Sequence, residues 1–126
     1  MILGAGIDLI EIGRFEREAG RRGDALLATL FSPTELAECR AGRRPFACYA
    51  AGFAVKEAFF KAIGTGWAEG TTWRDVEVLA IRRRPSITVG GAAARVARQL
   101  GIERAHVSVT VAGGLAAASV VLEGER

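Results

Sequence analysis

A chain of 126 residues is one domain by length and buries roughly two-thirds of its unfolded surface on folding. Half the residues are hydrophobic and 25% are charged, which excludes a disordered or low-complexity chain. Seventeen basic against fourteen acidic residues give a net charge of +3, which suits an anionic partner but falls short of a nucleic-acid binder, whose arginines would be interleaved with aromatics.

Met1–Leu9 reads as a strand, with Leu3, Ala5, Ile7 and Leu9 on one face and Ile2, Gly4, Gly6 and Asp8 on the other. Asp8 thus follows two residues without side chains on its own face, so something approaches the backbone closely beside a carboxylate. A short basic helix follows from about Glu11, carrying Arg14, Arg17, Arg21 and Arg22. Ser32-Pro33-Thr34-Glu35 is a helix start, with Ser32 as cap, Pro33 in the first turn and Glu35 able to close a capping box. That helix is expected to end near Ala41-Gly42. Pro45–Ile63 is the longest helical pattern, and Gly64 is placed to terminate it. Trp73–Arg82 and Pro85–Val89 read as strands, and Gly91–Leu100 as an alanine-rich helix. His106–Val111 alternates polar and valine positions, and Gly113-Gly114 turns the chain into a last strand, Ala116–Leu122. Strands and helices mix without regular alternation. The expected fold class is α+β: residues 1–126 as a single compact domain, with an antiparallel sheet and a long central helix.

Cys39 and Cys48 lack metal-ligand spacing and read as buried free thiols of a reducing compartment rather than a disulfide. The N-terminus has no basic n-region, and no apolar run approaches the ~20 residues of a membrane span. A cytoplasmic protein without membrane contact is expected.

The central helix carries the chemistry. Glu57 and Lys61 stand four residues apart and share a face with Phe53 and Gly64, while Lys56 points about a quarter turn away. As a surface bridge such a pair contributes only a few tenths of a kcal/mol. Phe53, Phe59, Phe60 and Ile63 make the helix more apolar than an exposed one, and a carboxylate among them needs a cation. Asp8 raises the same problem on the first strand. Two such carboxylates can share a hard divalent ion, with phosphate oxygens and water completing its octahedron. Gly64-Thr65-Gly66 offers backbone N–H groups to phosphate oxygens, or is simply a helix stop. His106 is the single histidine, on a strand face with Ser108 and Thr110; it is either structural or part of an anion site. Together these groups sketch a diphosphate cradle suited to phosphoryl-type transfer.

Three stretches make the chain resemble the holo-acyl-carrier-protein synthase family, the small 4′-phosphopantetheinyl transferases. They are Gly6-Ile7-Asp8 with Arg14-Phe15; Phe53-Ala54-Val55-Lys56-Glu57-Ala58 with Lys61 and Gly64-Thr65-Gly66; and His106-Val107-Ser108-Val109-Thr110. The resemblance implies transfer of 4′-phosphopantetheine from coenzyme A to a serine of an apo acyl carrier protein. It implies that Asp8 and Glu57 hold Mg²⁺, that Glu57 assists removal of the serine proton, and that Lys61 neutralises the phosphate, making these three the catalytic set. Lys56, Lys61, Gly64, Thr65, Gly66, Pro85, His106 and Ser108 would line the coenzyme A pocket. Arg14, Arg17, Arg21 and Arg22 would meet the acidic carrier protein, although a solvated helix face is the other reading of these arginines. The family's single-domain members are typically homotrimers with active sites between subunits.

The chain departs from the family pattern where an arginine commonly precedes Phe53 and here Gly52 stands, and at Val111, where the family often has histidine. An aromatic also often stands near Leu115. Arg43 or Arg44 is a candidate replacement for the missing basic group. These departures suit a specialised carrier protein, as in a polyketide pathway. They also motivate the rival reading, a non-catalytic paralogue that binds carrier protein or coenzyme A.

Overall fold

The computed structural model describes residues 1–64 and 70–126. In chain order the elements are β1 (Ile2–Glu11), α1 (Ile12–Arg22), α2 (Asp24–Leu30), α3 (Pro33–Arg40) and α4 (Pro45–Ile63). A single 3₁₀ turn (Trp73–Asp75) then leads into β2 (Val76–Leu79), β3 (Ser86–Val89), α5 (Gly91–Gln99), β4 (Ile102–Ala112) and β5 (Leu115–Gly124).

The long strands form an antiparallel sheet in the order β1-β5-β4, and β2 and β3 form a separate two-stranded hairpin. Gly113 and Gly114, with φ of 57° and 78°, make the two-residue turn between β4 and β5, a left-handed conformation that glycine adopts at no steric cost. The register then follows: Ala118 faces Asp8 on β1 and Val109 on β4.

α4 lies across this sheet and forms the centre of the core, burying Ala50, Ala54, Val55, Ala58 and Phe59 against Val120 and Leu122 of β5. The close approach anticipated at Gly4 and Gly6 is α4 itself. A Cβ at Gly6 would stand 2.0 Å from the carbonyl oxygen of Ala58, and one at Gly4 2.0 Å from that of Ala62. Helix and strand therefore touch backbone to backbone.

The α+β architecture, the capping box of α3 and the span of α4 agree with the sequence reading. Ser32 Oγ accepts from the Glu35 N–H, and Glu35 Oε1 accepts from the Ser32 N–H at 2.7 Å. Gly64 ends α4 in the left-handed region. Asp24–Leu30 is a helix to which the sequence reading assigned nothing. Two expectations need correction. The segment read as one strand from Trp73 to Arg82 opens with a 3₁₀ turn and is a strand only over Val76–Leu79. Cys39 and Cys48 are not free thiols: they form a disulfide between α3 and α4, whose packing brings their Cα atoms to 5.3 Å.

Candidate active site

Asp8 and Glu57 come together because β1 and α4 do. Asp8 follows Gly4 and Gly6 on the strand face covered by α4, and Glu57 projects from the helix one residue before the Ala58 carbonyl that meets Gly6. The two carboxyl groups are close enough for the charge of Asp8 to act directly on Glu57. Lys61, one turn beyond Glu57, places Nζ 2.7 Å from Asp8 Oδ1 and 3.2 Å from the Ile7 carbonyl oxygen.

The electrostatics are unbalanced. Burial, then the hydrogen bond and the charge of Asp8, push Glu57 up to about 7, with Lys61 opposing. Near neutral pH Glu57 is therefore protonated in a large share of molecules. The hydrogen bond to Asp8 holds the Lys61 ammonium above its usual range. Asp8 is only 9% exposed, and its buried Oδ2 has no hydrogen-bond partner among the described residues. A buried acceptor lacking a donor, beside a second carboxylate that has to hold a proton, is the donor set a cation would satisfy. Two carboxylates suit Mg²⁺, which takes most of its remaining ligands from water and substrate phosphates. No cluster of three or more His, Cys, Asp or Glu side chains able to hold a metal occurs among the described residues.

A cleft of about 670 Å³ opens beside Glu57, lined by Arg14, Phe15, Phe53, Leu9 and Leu115 among others. Phe53 packs at a tilt against Phe15 at 5.9 Å and edge-on to Trp73 at 4.9 Å, joining the cleft wall to a wider aromatic cluster. Of the four α1 arginines, Arg14 lines this cleft. Arg17 is solvent-exposed, and Arg21 and Arg22 pair with Glu18 at 3.1 and 4.0 Å.

Lys56 requires correction. Its side chain has no solvent exposure, and its ammonium donates to Glu35 Oε1 (2.9 Å), the Val76 carbonyl (2.6 Å) and the Trp73 carbonyl (3.1 Å). All three protons are used inside the chain and none reaches a ligand. Glu35, the acceptor that sequence reasoning missed, uses its other oxygen on the Val78 N–H at 2.7 Å. Its only signal in the sequence was the capping box, which explained it locally.

His106 and Ser108 are not brought to Asp8 within the chain. They lie on the open face of the sheet, opposite the face that α4 covers; His106 is 57% exposed and contacts Glu123 at 2.9 Å. Pro85 stands before β3, in the other sheet. Gly64 ends α4 beside Lys61, whereas Thr65 and Gly66 lie outside the described residues.

The profile of the 4′-phosphopantetheinyl transferase superfamily matches residues 4–112. The chain belongs to this family. It is similar to the holo-[acyl-carrier-protein] synthase of Solibacter usitatus, 42% identical over 98% of this chain and 99% of that protein. In structure it resembles the holo-[acyl-carrier-protein] synthase of Neisseria meningitidis, with a TM-score of 0.87, 31% identity, and coverage of 98% and 99% of the two chains. The Helicobacter pylori holo-[acyl-carrier-protein] synthase, solved in complex with coenzyme A, matches with a TM-score of 0.80 and 27% identity over 94% of this chain and 99% of that one. The transferase family thus accounts for the α+β fold and for three motifs spread over nearly the whole chain. No described helix is long and apolar enough to cross a membrane.

Proposed function

We propose that this transferase moves 4′-phosphopantetheine from coenzyme A to a serine of an apo acyl carrier protein, with a divalent cation such as Mg²⁺. The observation that carries this reading is the Asp8–Glu57–Lys61 cluster, in which a buried Asp8 oxygen without a partner among the described residues and a Glu57 carboxyl that holds its proton to about pH 7 stand beside the Lys61 ammonium.

The serine oxygen forms a new bond to the pantetheine-bearing phosphorus, and the bond from that phosphorus to the adenosine bisphosphate leaving group breaks. Charge on the diphosphate oxygens is the main obstacle, and positioned cations remove it. Lys61, 55% exposed and aimed by Asp8, supplies one fixed positive charge. Asp8 and Glu57 would hold the cation, which when bound neutralises diphosphate oxygens. Glu57 also assists removal of the serine proton. The cleft walled by Phe53, Phe15 and Leu115 gives Glu57 an apolar flank, and Arg14 presents positive charge there to an acidic carrier.

The working unit in this reading is a homotrimer. Ile7 (69% exposed) and Leu9 (60% exposed) present large apolar side chains on the same open sheet face as His106 and Ser108. An apolar face of this kind suits burial against another copy, which would carry His106 and Ser108 to a neighbour's Asp8 and Glu57.

The test is incubation with coenzyme A, Mg²⁺ and a panel of apo carrier proteins, both fatty-acid and polyketide types because of Gly52 and Val111. Intact mass then reads the phosphopantetheine increment. Increment on at least one carrier, lost on chelation, is the expected result. Binding without increment on any carrier overturns the reading in favour of a non-catalytic paralogue.

A further inference from the structure

Away from the carboxylate cluster, a second cavity of about 390 Å³ lies between the N-terminal end of α4, the β2–β3 turn and β4. Its apolar floor includes Ala51, Ile81 and Val111, and its rim carries Arg43, Arg44 and Arg82 together with Cys48. Among the described residues neither Arg43 nor Arg44 enters an ion pair. Gly52 bears on the same cavity. A Cβ at Gly52 would stand 3.2 Å from Ile81 Cδ1 and 3.4 Å from Phe31 Cε1, so a larger residue there would have to shift these side chains, while Arg43 and Arg44 bring positive charge to the cavity from the neighbouring loop.

That loop is closed by a covalent bond found in no motif discussed above. Cys39 and Cys48, nine residues apart, bracket Arg40, Arg43 and Arg44. Arg82 is fastened to the same unit. Its guanidinium lies within about 3 Å of where a Gly42 side chain would begin, and its backbone N–H and Nη1 donate to Glu38 Oε2 at 3.3 Å and the Glu38 carbonyl at 3.5 Å. Three guanidiniums repel one another, and a short closed loop holds such charges together where an open one lets them spread.

We propose that the Cys39–Cys48 disulfide is a positioning element that holds Arg43 and Arg44 over this cavity for a phosphate-bearing ligand, and that its reduction weakens the binding of that ligand. The proposal rests on the coenzyme A reading for the identity of the ligand. Reduction by a phosphine breaks the Sγ–Sγ bond; the phosphine supplies two electrons and becomes its oxide with oxygen from water, and each sulfur gains a proton.

The experiment compares the purified full chain before and after phosphine treatment, with intact mass under non-reducing conditions counting the thiols. Calorimetry gives Kd for coenzyme A, and transfer assays separate KM from kcat. Reduction is expected to raise Kd and KM by about tenfold, the worth of one charge-assisted hydrogen bond, with kcat at saturating coenzyme A unchanged. The Arg43→Gln/Arg44→Gln variant is expected to bind weakly in both states and to show no further loss on reduction. Cys39→Ala/Cys48→Ala is expected to match the reduced protein.

Two free thiols in the untreated protein, equal Kd in both states, a loss confined to kcat, or an undiminished thiol effect in the arginine variant would each overturn the proposal. If the alanine variant fails to fold, the reduced native sequence gives the same reading. If the oxidised protein binds no coenzyme A, the functional reading fails by itself. The same comparison made with inorganic pyrophosphate then decides the role of the disulfide, a thiol-dependent Kd supporting it and an unchanged Kd overturning it.

Discussion

Lys56 and Glu35 bury opposite charges completely, Nζ 2.9 Å from Oε1 with neither side chain exposed. The pair is saturated: the ammonium also serves two carbonyls, and the carboxylate two backbone N–H groups. It fixes the first turn of α3, the 3₁₀ turn and β2 to the middle of α4. Burial is the main influence on Lys56 and lowers its affinity for a proton, while Glu35 opposes this. Lys56→Met removes the cation and strands a buried carboxylate, so it is expected to cost about 3–5 kcal/mol. Urea denaturation checks this. A loss below about 1 kcal/mol would mean that the pair contributes little beyond its packing.

Glu57→Gln is nearly isosteric and removes the charge. Transfer is expected to be abolished while the circular dichroism spectrum is retained. An active variant would remove Glu57 from the cation site.

The same variant has a pH signature in metal-free buffer. Glu57 is raised from 4.5 to about 7 in the native state, so between those values the folded chain holds more protons than the unfolded one. Stability from this group is complete below pH 4.5 and is lost as pH rises through about 7. The melting temperature of Glu57→Gln relative to the native sequence should therefore climb between pH 5 and pH 8, and added Mg²⁺ should reduce the difference. A pH-independent difference would contradict the raised Glu57 pKa.

Lys61→Met takes the ammonium from Asp8 Oδ1 and, in the proposed reaction, from the transferring phosphate. A fall in kcat on the order of 100-fold is expected, the usual effect of losing one positioned charge at a reacting phosphate. The fold should survive, because the Lys61 side chain is 55% exposed. Steady-state kinetics at saturating coenzyme A checks the expectation.

Ile7→Glu places a charge on the open sheet face and keeps the backbone carbonyl that Lys61 contacts. In the proposed assembly, light scattering should read a trimer for the native sequence and a monomer for this variant, with transfer lost together with the oligomer. A fully active monomer would mean that His106 and Ser108 are not required from another copy.

Much of the cluster was legible because its signals are local. Two glycines ahead of Asp8 on one strand face announced a close approach, and the four-residue spacing of Glu57 and Lys61 put both on one side of a helix. Ser32 and Glu35 wrote their cap into four residues, and Gly64 marked the end of α4. What stayed hidden depends on contacts across the fold. The fate of Lys56 was decided by Glu35 and by carbonyls of a segment twenty residues on, so the resemblance assigned it to a ligand that it cannot reach. The Cys39–Cys48 bond needs α3 to fold back on α4, which spacing does not show. His106 alternates correctly on its strand, yet only the sheet order reveals that its face points away from Asp8.

The contact of Gly4 and Gly6 with the carbonyls of α4 has a final consequence. The separation of the two carboxylates is set by main chain resting on main chain, with no side chain between them to be exchanged. Drift elsewhere in the core can alter how firmly the protein folds, but it has little leverage on the reacting geometry. Changes in what the enzyme accepts should therefore arise in the outlying loops and arginines, and the inner pair should change least.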